Sequence, residues 1–186
     1  MPDEQGAIAE AANILRRGGI IAYPTETVYG LGCLPDNDDA LQHLIDIKGR
    51  DADKGFILLA ADAHQLTPYT ASLSDEQWKT IAERHERATT WTVPAAHDIS
   101  PLLTGKHSQI AIRLTTHPIV TALCKTSGSA LVSTSANFSG EAPPKTADAL
   151  PDALCDRLDY ILHGDCGDDP RPSRIVELAT GKIVRQ

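Results

Sequence analysis

The sequence predicts an α/β (α+β) fold, a twisted mixed β-sheet with flanking helices. Three observations point there. Short apolar runs of strand length recur at Ile20–Tyr23, Phe56–Ala60 and Ala130–Ser133. Between them lie stretches whose apolar residues repeat with a helical period of about 3.6. The two kinds do not alternate strictly, which argues against a uniformly parallel βαβ array. The 186 residues correspond to about one domain at ~150 residues each. We therefore expect residues 1–186 to form a single domain around one sizeable core.

The elements follow in order. Gln5–Arg17 reads as a helix because Ile8, Ala11, Ala12 and Leu15 share one face and Gly18-Gly19 stops it. Ile20–Tyr23 is a short buried strand, and Pro24–Gly32 reads as a loop rich in hydroxyls and glycine. Asp38–Ile47 is a helix with Leu41, Leu44 and Ile45 inward and Asn37 as its cap. Lys48–Gly55 is a charged loop before the strand Phe56–Ala60. Ser74–Arg84 carries a capping box, Ser74 answered by Gln77. Thr89–Val93 and Gln109–Leu114 are strands, and Pro118–Lys125 is a helix opened by proline. Ala130–Ser133 leads into a polar turn. Ala147–Asp156 is expected to be helical, with Pro151 disturbing its start. Tyr160–Leu162, Arg174–Leu178 and Lys182–Val184 close the sheet.

Composition narrows the function classes. The net charge is 17 − 25 = −8. Affinity for nucleic acid comes largely from neutralised phosphates, so RNA binding needs a local basic patch here. No run approaches the ~20 apolar residues of a membrane span, so no membrane partner is expected. The start, Met1-Pro2-Asp3-Glu4, is acidic and unlike a secretory or transit peptide. Cys33, Cys124, Cys155 and Cys166 form no CxxC pair. They read as free thiols of a cytoplasmic protein, with no metal site.

No P-loop, dinucleotide fingerprint, HExxH or GxSxG elbow is present. Three polar clusters remain. In Tyr23-Pro24-Thr25-Glu26-Thr27-Val28-Tyr29-Gly30-Leu31-Gly32, hydroxyls and a carboxylate follow a buried strand. Strand ends are where ligands collect in α/β sheets; an ordinary threonine-capped turn fits equally well. Lys48, Arg50 and Lys54 put three cations in seven residues. They either complement a helix dipole or clamp a polyphosphate. Ser133-Thr134-Ser135-Ala136-Asn137-Phe138-Ser139-Gly140 is a polar connection or a phosphate-binding turn. Arg113, charged within an alternating run, either forms a structural ion pair or holds a carboxylate.

In this order the clusters resemble the YrdC family of threonylcarbamoyl-AMP synthases, in its short single-domain bacterial form. The likeness runs from Gly18 to Ile175. It includes PTETVYGLG at Pro24–Gly32, KxR at Lys48 and Arg50, TTWTVPA at Thr89–Ala95, LTGKHSQIAIRLTTHP at Leu103–Pro118 and STSANFSGEAPPKT at Ser133–Thr146. The resemblance implies a YrdC-like fold with a large concave cleft. It also implies a reaction in which L-threonine, bicarbonate and ATP give L-threonylcarbamoyladenylate and pyrophosphate. The product feeds the t6A modification of adenosine 37 in tRNA through a separate transferase complex. ATP is then a substrate, Mg2+ is expected to arrive on the triphosphate, and a weak tRNA contact stays open.

The resemblance also assigns residues. Lys48, Arg50 and Ser135 are the expected catalytic groups. Lys48, Arg50, Lys54, Ser133, Ser135, Asn137, Thr146 and Ser173 are expected on ATP. Thr25, Tyr29 and Arg113 are expected on L-threonine, with Arg113 on its carboxylate. Attack of a carbamate on the α-phosphorus needs positioning and charge neutralisation more than a covalent nucleophile. The sequence departs from the family pattern at Asp51, where proline usually follows the KxR arginine, and at Arg87-Ala88, where Pro-Gly often stands. Three other readings remain: a non-catalytic RNA-binding module, a carbamoyl-transfer module like that of hydrogenase-maturation proteins, and a paralogue acting on another amino acid.

Overall fold

The computed structural model describes residues 3–169 and 171–185; Met1 and Pro2 of the acidic start lie outside the described residues. Helix α1 (Glu4–Arg16) begins where Asp3 Oδ1 accepts the Gly6 N–H at 2.8 Å. Strand β1 (Ile21–Pro24) turns back into β2 (Tyr29–Gly32). Helix α2 (Asp38–Lys48) is capped by Asn37, whose Oδ1 accepts the Ala40 N–H at 2.9 Å. Then come β3 (Ile57–Ala60), α3 (Asp75–Ala82) with the expected Ser74–Gln77 capping box, and β4 (Thr89–Pro94). A short α4 (Pro101–Thr104) precedes β5 (Gln109–Leu114), α5 (Pro118–Ser127) and β6 (Leu131–Ser135). The chain continues through α6 (Asp152–Cys155), β7 (Tyr160–Ile161), β8 (Arg174–Glu177) and β9 (Ile183–Arg185).

Among the described residues nine strands form one mixed sheet in the order β7-β1-β2-β6-β3-β5-β4-β8-β9. Successive strand residues point to opposite faces, and the two cores follow that alternation. Ile21, Tyr23, Leu59 and Leu131 pack with α1 and α5 on one face. Ala22, Leu58, Ala60 and Val132 pack with α2 on the other. Helices therefore cover both faces of the sheet.

Two local expectations are corrected, and one element is added. Pro24–Gly32 is not all loop, because Tyr29–Gly32 pairs with β1 (Tyr23 opposite Gly30) and with β6 (Gly30 opposite Ser135). Glycine permits this: a Cβ on Gly32 would lie 2.0 Å from the Val132 carbonyl oxygen. Ala147–Asp156 is not one helix. Leu150, before Pro151, is extended, and the segment splits into a 3-10 turn at Ala147–Ala149 and α6. Pro101–Thr104, unassigned from the sequence, forms a turn of helix because Ser100 Oγ accepts the Leu102 N–H and proline occupies the first position. Among the described residues no helix is long and apolar enough to cross a membrane.

Candidate substrate cleft

The cleft is the part of the α1/α5 face of the sheet that those helices leave open. Ile57 shares a face with Leu59, and Ser133 and Ser135 share a face with Leu131. Further along the strands these residues, with Gly30, Ala111, Arg113 and Ile175, line a cavity of about 310 Å3. Thr25, Thr27, Val28, Pro143, Pro172 and Ser173 come from surrounding loops. Four cations reach it from four places in the chain: Arg50, Lys54, Arg113 and Arg185. No carboxylate is among the described residues that line it.

The three arginines are held differently. Arg50 Nη2 donates to the Gly55 carbonyl at 2.7 Å and Nη1 to Thr134 Oγ1 at 3.1 Å, and its guanidinium lies 4.7 Å from the Phe56 ring centroid. That grip needs a sharp turn after Lys54. Gly55 makes it at φ 58°, where any Cβ would lie 2.7 Å from the Leu103 carbonyl oxygen. Arg113 Nη2 lies 3.2 Å from Glu26 Oε2, and both side chains are largely buried. Arg113 Nε is buried without a protein partner. Arg185 Nη2 donates to the Ser173 carbonyl at 3.0 Å. Burial lowers the pKa of Arg185, and Arg113 and Arg87 lower it further. Like charges around Arg185 favour an anionic ligand beside it.

Glu26 joins the cleft to its neighbourhood. Its Oε1 accepts from Thr115 Oγ1 at 2.6 Å and from the Thr116 N–H at 3.1 Å. Burial raises its pKa, but Arg113 and these hydrogen bonds outweigh burial and hold the carboxyl below its ordinary value. Beyond the Arg113–Glu26 pair lies a second cavity of about 630 Å3, lined on its far side by Glu83–Thr89 and His117.

A family model described as Telomere recombination, Sua5/YciO/YrdC, matches residues 13–186. The chain belongs to the Sua5/YciO/YrdC family. It is 42% identical over 181 residues to a Vibrio vulnificus protein named threonylcarbamoyl-AMP synthase, covering 96% of this chain and 97% of the relative. A Thiobacillus denitrificans protein of the same name is 46% identical over 175 residues, with 92% and 90% covered. Among solved structures, Sua5 of P. abyssi complexed with L-threonine superposes with a TM-score of 0.88 at 27% identity. That match covers 98% of this chain, which spans 54% of the Sua5 chain.

The family motifs fold into the cleft unevenly. Thr25, Arg50, Lys54, Arg113, Ser133, Ser135 and Ser173 all line it. Four expected residues do not. Tyr29 is fully buried, and its hydroxyl donates to the Gly164 carbonyl at 2.8 Å and accepts the Gly164 N–H at 3.1 Å. Burial pushes its pKa up to about 12; this phenol ties β2 to the loop at Gly164. Thr146 is exposed at the start of the 3-10 turn and is not among the residues lining the cleft. Asn137 is buried behind the wall, donating to the Phe138 and Glu141 carbonyls at 2.9 and 2.7 Å. Lys48, expected on phosphate, is only 5% exposed and bonds Ser135 and Asn137 instead.

Sequence reading did not single out Arg185, Thr134, Pro143 or the pairing role of Glu26. Glu26 sat inside the PTETVYGLG motif and was legible as a candidate. Arg185 carried no local signal, because only the β8–β9 hairpin, with Ile175 opposite Arg185, brings it to the cleft. The two departures from the family pattern leave the cleft intact. Asp51 is exposed and its Oδ1 accepts the Asp53 N–H at 3.0 Å, capping a 3-10 turn. Arg87 Nε and Nη2 donate to the Pro172 carbonyl at 3.0 and 2.6 Å. Burial also pushes the Cys33 thiol up to about 12, as befits an inert side chain.

Proposed function

We propose that the protein is a threonylcarbamoyl-AMP synthase, converting L-threonine, bicarbonate and ATP to L-threonylcarbamoyladenylate and pyrophosphate. One observation carries this reading. In a protein of net charge −8, the described residues that line the cleft include four cations, three serines and no carboxylate. The likeness to named synthases over nearly the whole chain supports it. We infer that residues 1–186 act as one YrdC-like domain.

In this reading Arg50, Lys54 and Arg185 neutralise the triphosphate, and Ser133, Ser135 and Ser173 donate hydroxyls to the nucleotide. Thr25 and Arg113 position threonine, with Arg113 on its carboxylate through the donors that Glu26 leaves free. The threonine amine adds to the carbon of bicarbonate-derived CO2, losing a proton and forming a carbamate. A carbamate oxygen then attacks the α-phosphorus, and the α–β phosphoanhydride bond breaks as pyrophosphate leaves. The protein supplies alignment and charge neutralisation. Among the described residues no three His, Cys, Asp or Glu side chains gather to hold a metal; Mg2+ travels with ATP in this scheme. A cytoplasmic setting, and a transferase complex that passes the product to tRNA, belong to the same reading.

The test is pyrophosphate release from Mg-ATP, with and without L-threonine and bicarbonate, using serine as the control amino acid. Release that needs both threonine and bicarbonate supports the synthase. Folded protein without release, yet binding RNA at ~200 mM salt, points to the RNA-binding module instead.

A further inference from the structure

Thr90 is the second residue of β4 and is fully buried. It stands opposite Ile175 in the strand register, and Thr92, on the same face, stands opposite Ala111. Ile175 and Ala111 both line the cleft, so Thr90 belongs to the cleft face of the sheet although it is not in the lining itself. Ser173, the residue before β8, does line the cleft, and its Oγ stands 3.1 Å from Thr90 Oγ1.

Each of these hydroxyls has one proton to give. Burial decides which gives to the other. Among the described residues, Ser173 Oγ is the hydrogen-bond partner of the Thr90 hydroxyl, and no second one is within reach. If Ser173 donated to Thr90, the Thr90 proton would be buried with no acceptor, which is costly. If Thr90 donates, its proton is satisfied and the Ser173 proton is left free. Arg185 cannot take that proton. Its Nη2, a donor only, reaches the Ser173 carbonyl at 3.0 Å and Ser173 Oγ at 3.4 Å. The direction left for the Ser173 proton is the cleft. A hydroxyl that accepts from its neighbours is also a stronger donor.

We infer that Thr90 is a positioning residue: its buried hydroxyl donates to Ser173 Oγ and so turns the Ser173 proton toward an anionic oxygen in the cleft, a phosphate or carboxylate of the substrate. The inference deepens the synthase reading and rests on it for the identity of that substrate.

The experiment is calorimetric titration with Mg-ATP and, separately, with L-threonine. The proteins are wild type, Thr90→Val, Thr90→Ser, Ser173→Ala and the double variant Thr90→Val/Ser173→Ala. Valine keeps the shape of threonine without its hydroxyl proton, and serine keeps the proton. Thr90→Val should weaken one of the two ligands about 2- to 12-fold, the worth of one ordinary hydrogen bond, and leave the other unchanged. A loss confined to Mg-ATP makes the oxygen a phosphate, and a loss confined to threonine makes it the carboxylate. Thr90→Ser should bind as wild type does. Ser173→Ala should weaken the same ligand, and adding Thr90→Val to it should cost nothing further, because both act through one hydroxyl. If Thr90→Val does not fold, Thr90→Ala makes the same comparison. No loss in Thr90→Val, an equal loss for both ligands, the same loss in Thr90→Ser, or an undiminished further loss in the double variant each overturns the inference. If wild type binds neither Mg-ATP nor threonine, the synthase reading fails on its own. Inorganic phosphate and acetate then serve as probes, and the same pattern among the variants decides the role of Thr90. A wild type that binds none of the four overturns both.

Discussion

Arg113 concentrates the residue-scale chemistry, because it has one arm on Glu26 and a buried Nε with no protein partner. Charge-assisted hydrogen bonds contribute roughly 1.5–3 kcal/mol. Arg113→Ala should therefore raise the KM for L-threonine about 10- to 100-fold, and the KM for ATP much less, in steady-state pyrophosphate assays. Arg50 meets the triphosphate in the same scheme, so Arg50→Ala should cut turnover by an amount like that for a lost transition-state donor, ~2.7–4 kcal/mol. Glu26 gives a pH prediction. Its carboxyl sits below its ordinary value in the folded protein, so the unfolded chain binds the proton more readily. The resulting stability is full above the ordinary carboxylate range near 4.3 and is lost as pH falls through the folded value. Urea melts should show Glu26→Gln less stable than wild type at pH 7 by roughly 3–5 kcal/mol, the usual consequence of breaking a buried pair. The gap should narrow at pH 3.

At the scale of elements, the strand pairings explain both what could be read and what could not. α1, α2 and α5 were legible because each carries its own local start or stop signal, the Gly18-Gly19 stop, the Asn37 cap and Pro118 at the first turn, beside apolar residues spaced for a helix. β2 was not, because Tyr29–Gly32 holds its strand only between β1 and β6, and β6 lies about a hundred residues further on. The cost of disturbing that seam is testable. Gly32→Ala would drive a Cβ into the Val132 carbonyl, and overpacking of this kind costs about 1–3 kcal/mol or more. Chemical denaturation should show at least that loss, and a variant as stable as wild type would refute the close approach. The candidate site divides the same way. Thr25, Arg50, Lys54, Ser133 and Ser135 lie in linear motifs and were foreseeable. Lys48 was legible as a cation in the right motif, but its burial against the turn after β6 could not be read from spacing. Arg185 depended on the last hairpin of the sheet.

For the whole molecule, a cleft assembled from loops that are distant in sequence links ligand binding to global stability. At a hundredfold excess of ATP over its Kd, the folded state should gain ~2.7 kcal/mol. The melting temperature should then rise by about 2–4 °C per kcal/mol. Arg185→Ala should abolish most of that rise while leaving the ligand-free melting temperature near wild type, as scanning calorimetry would show. The strand order has another consequence. β6 inserts between β2 and β3, both of which precede it by more than seventy residues. Until residues 131–135 arrive, the apolar Ile-Leu-Leu-Ala strand has no neighbour on that side. Open apolar edges of this sort recruit other chains, and long-range pairing is slow to form. During synthesis at high levels or high temperature, the pressure to aggregate falls on the interval between making β3 and making β6, and slower, cooler expression should raise the soluble yield.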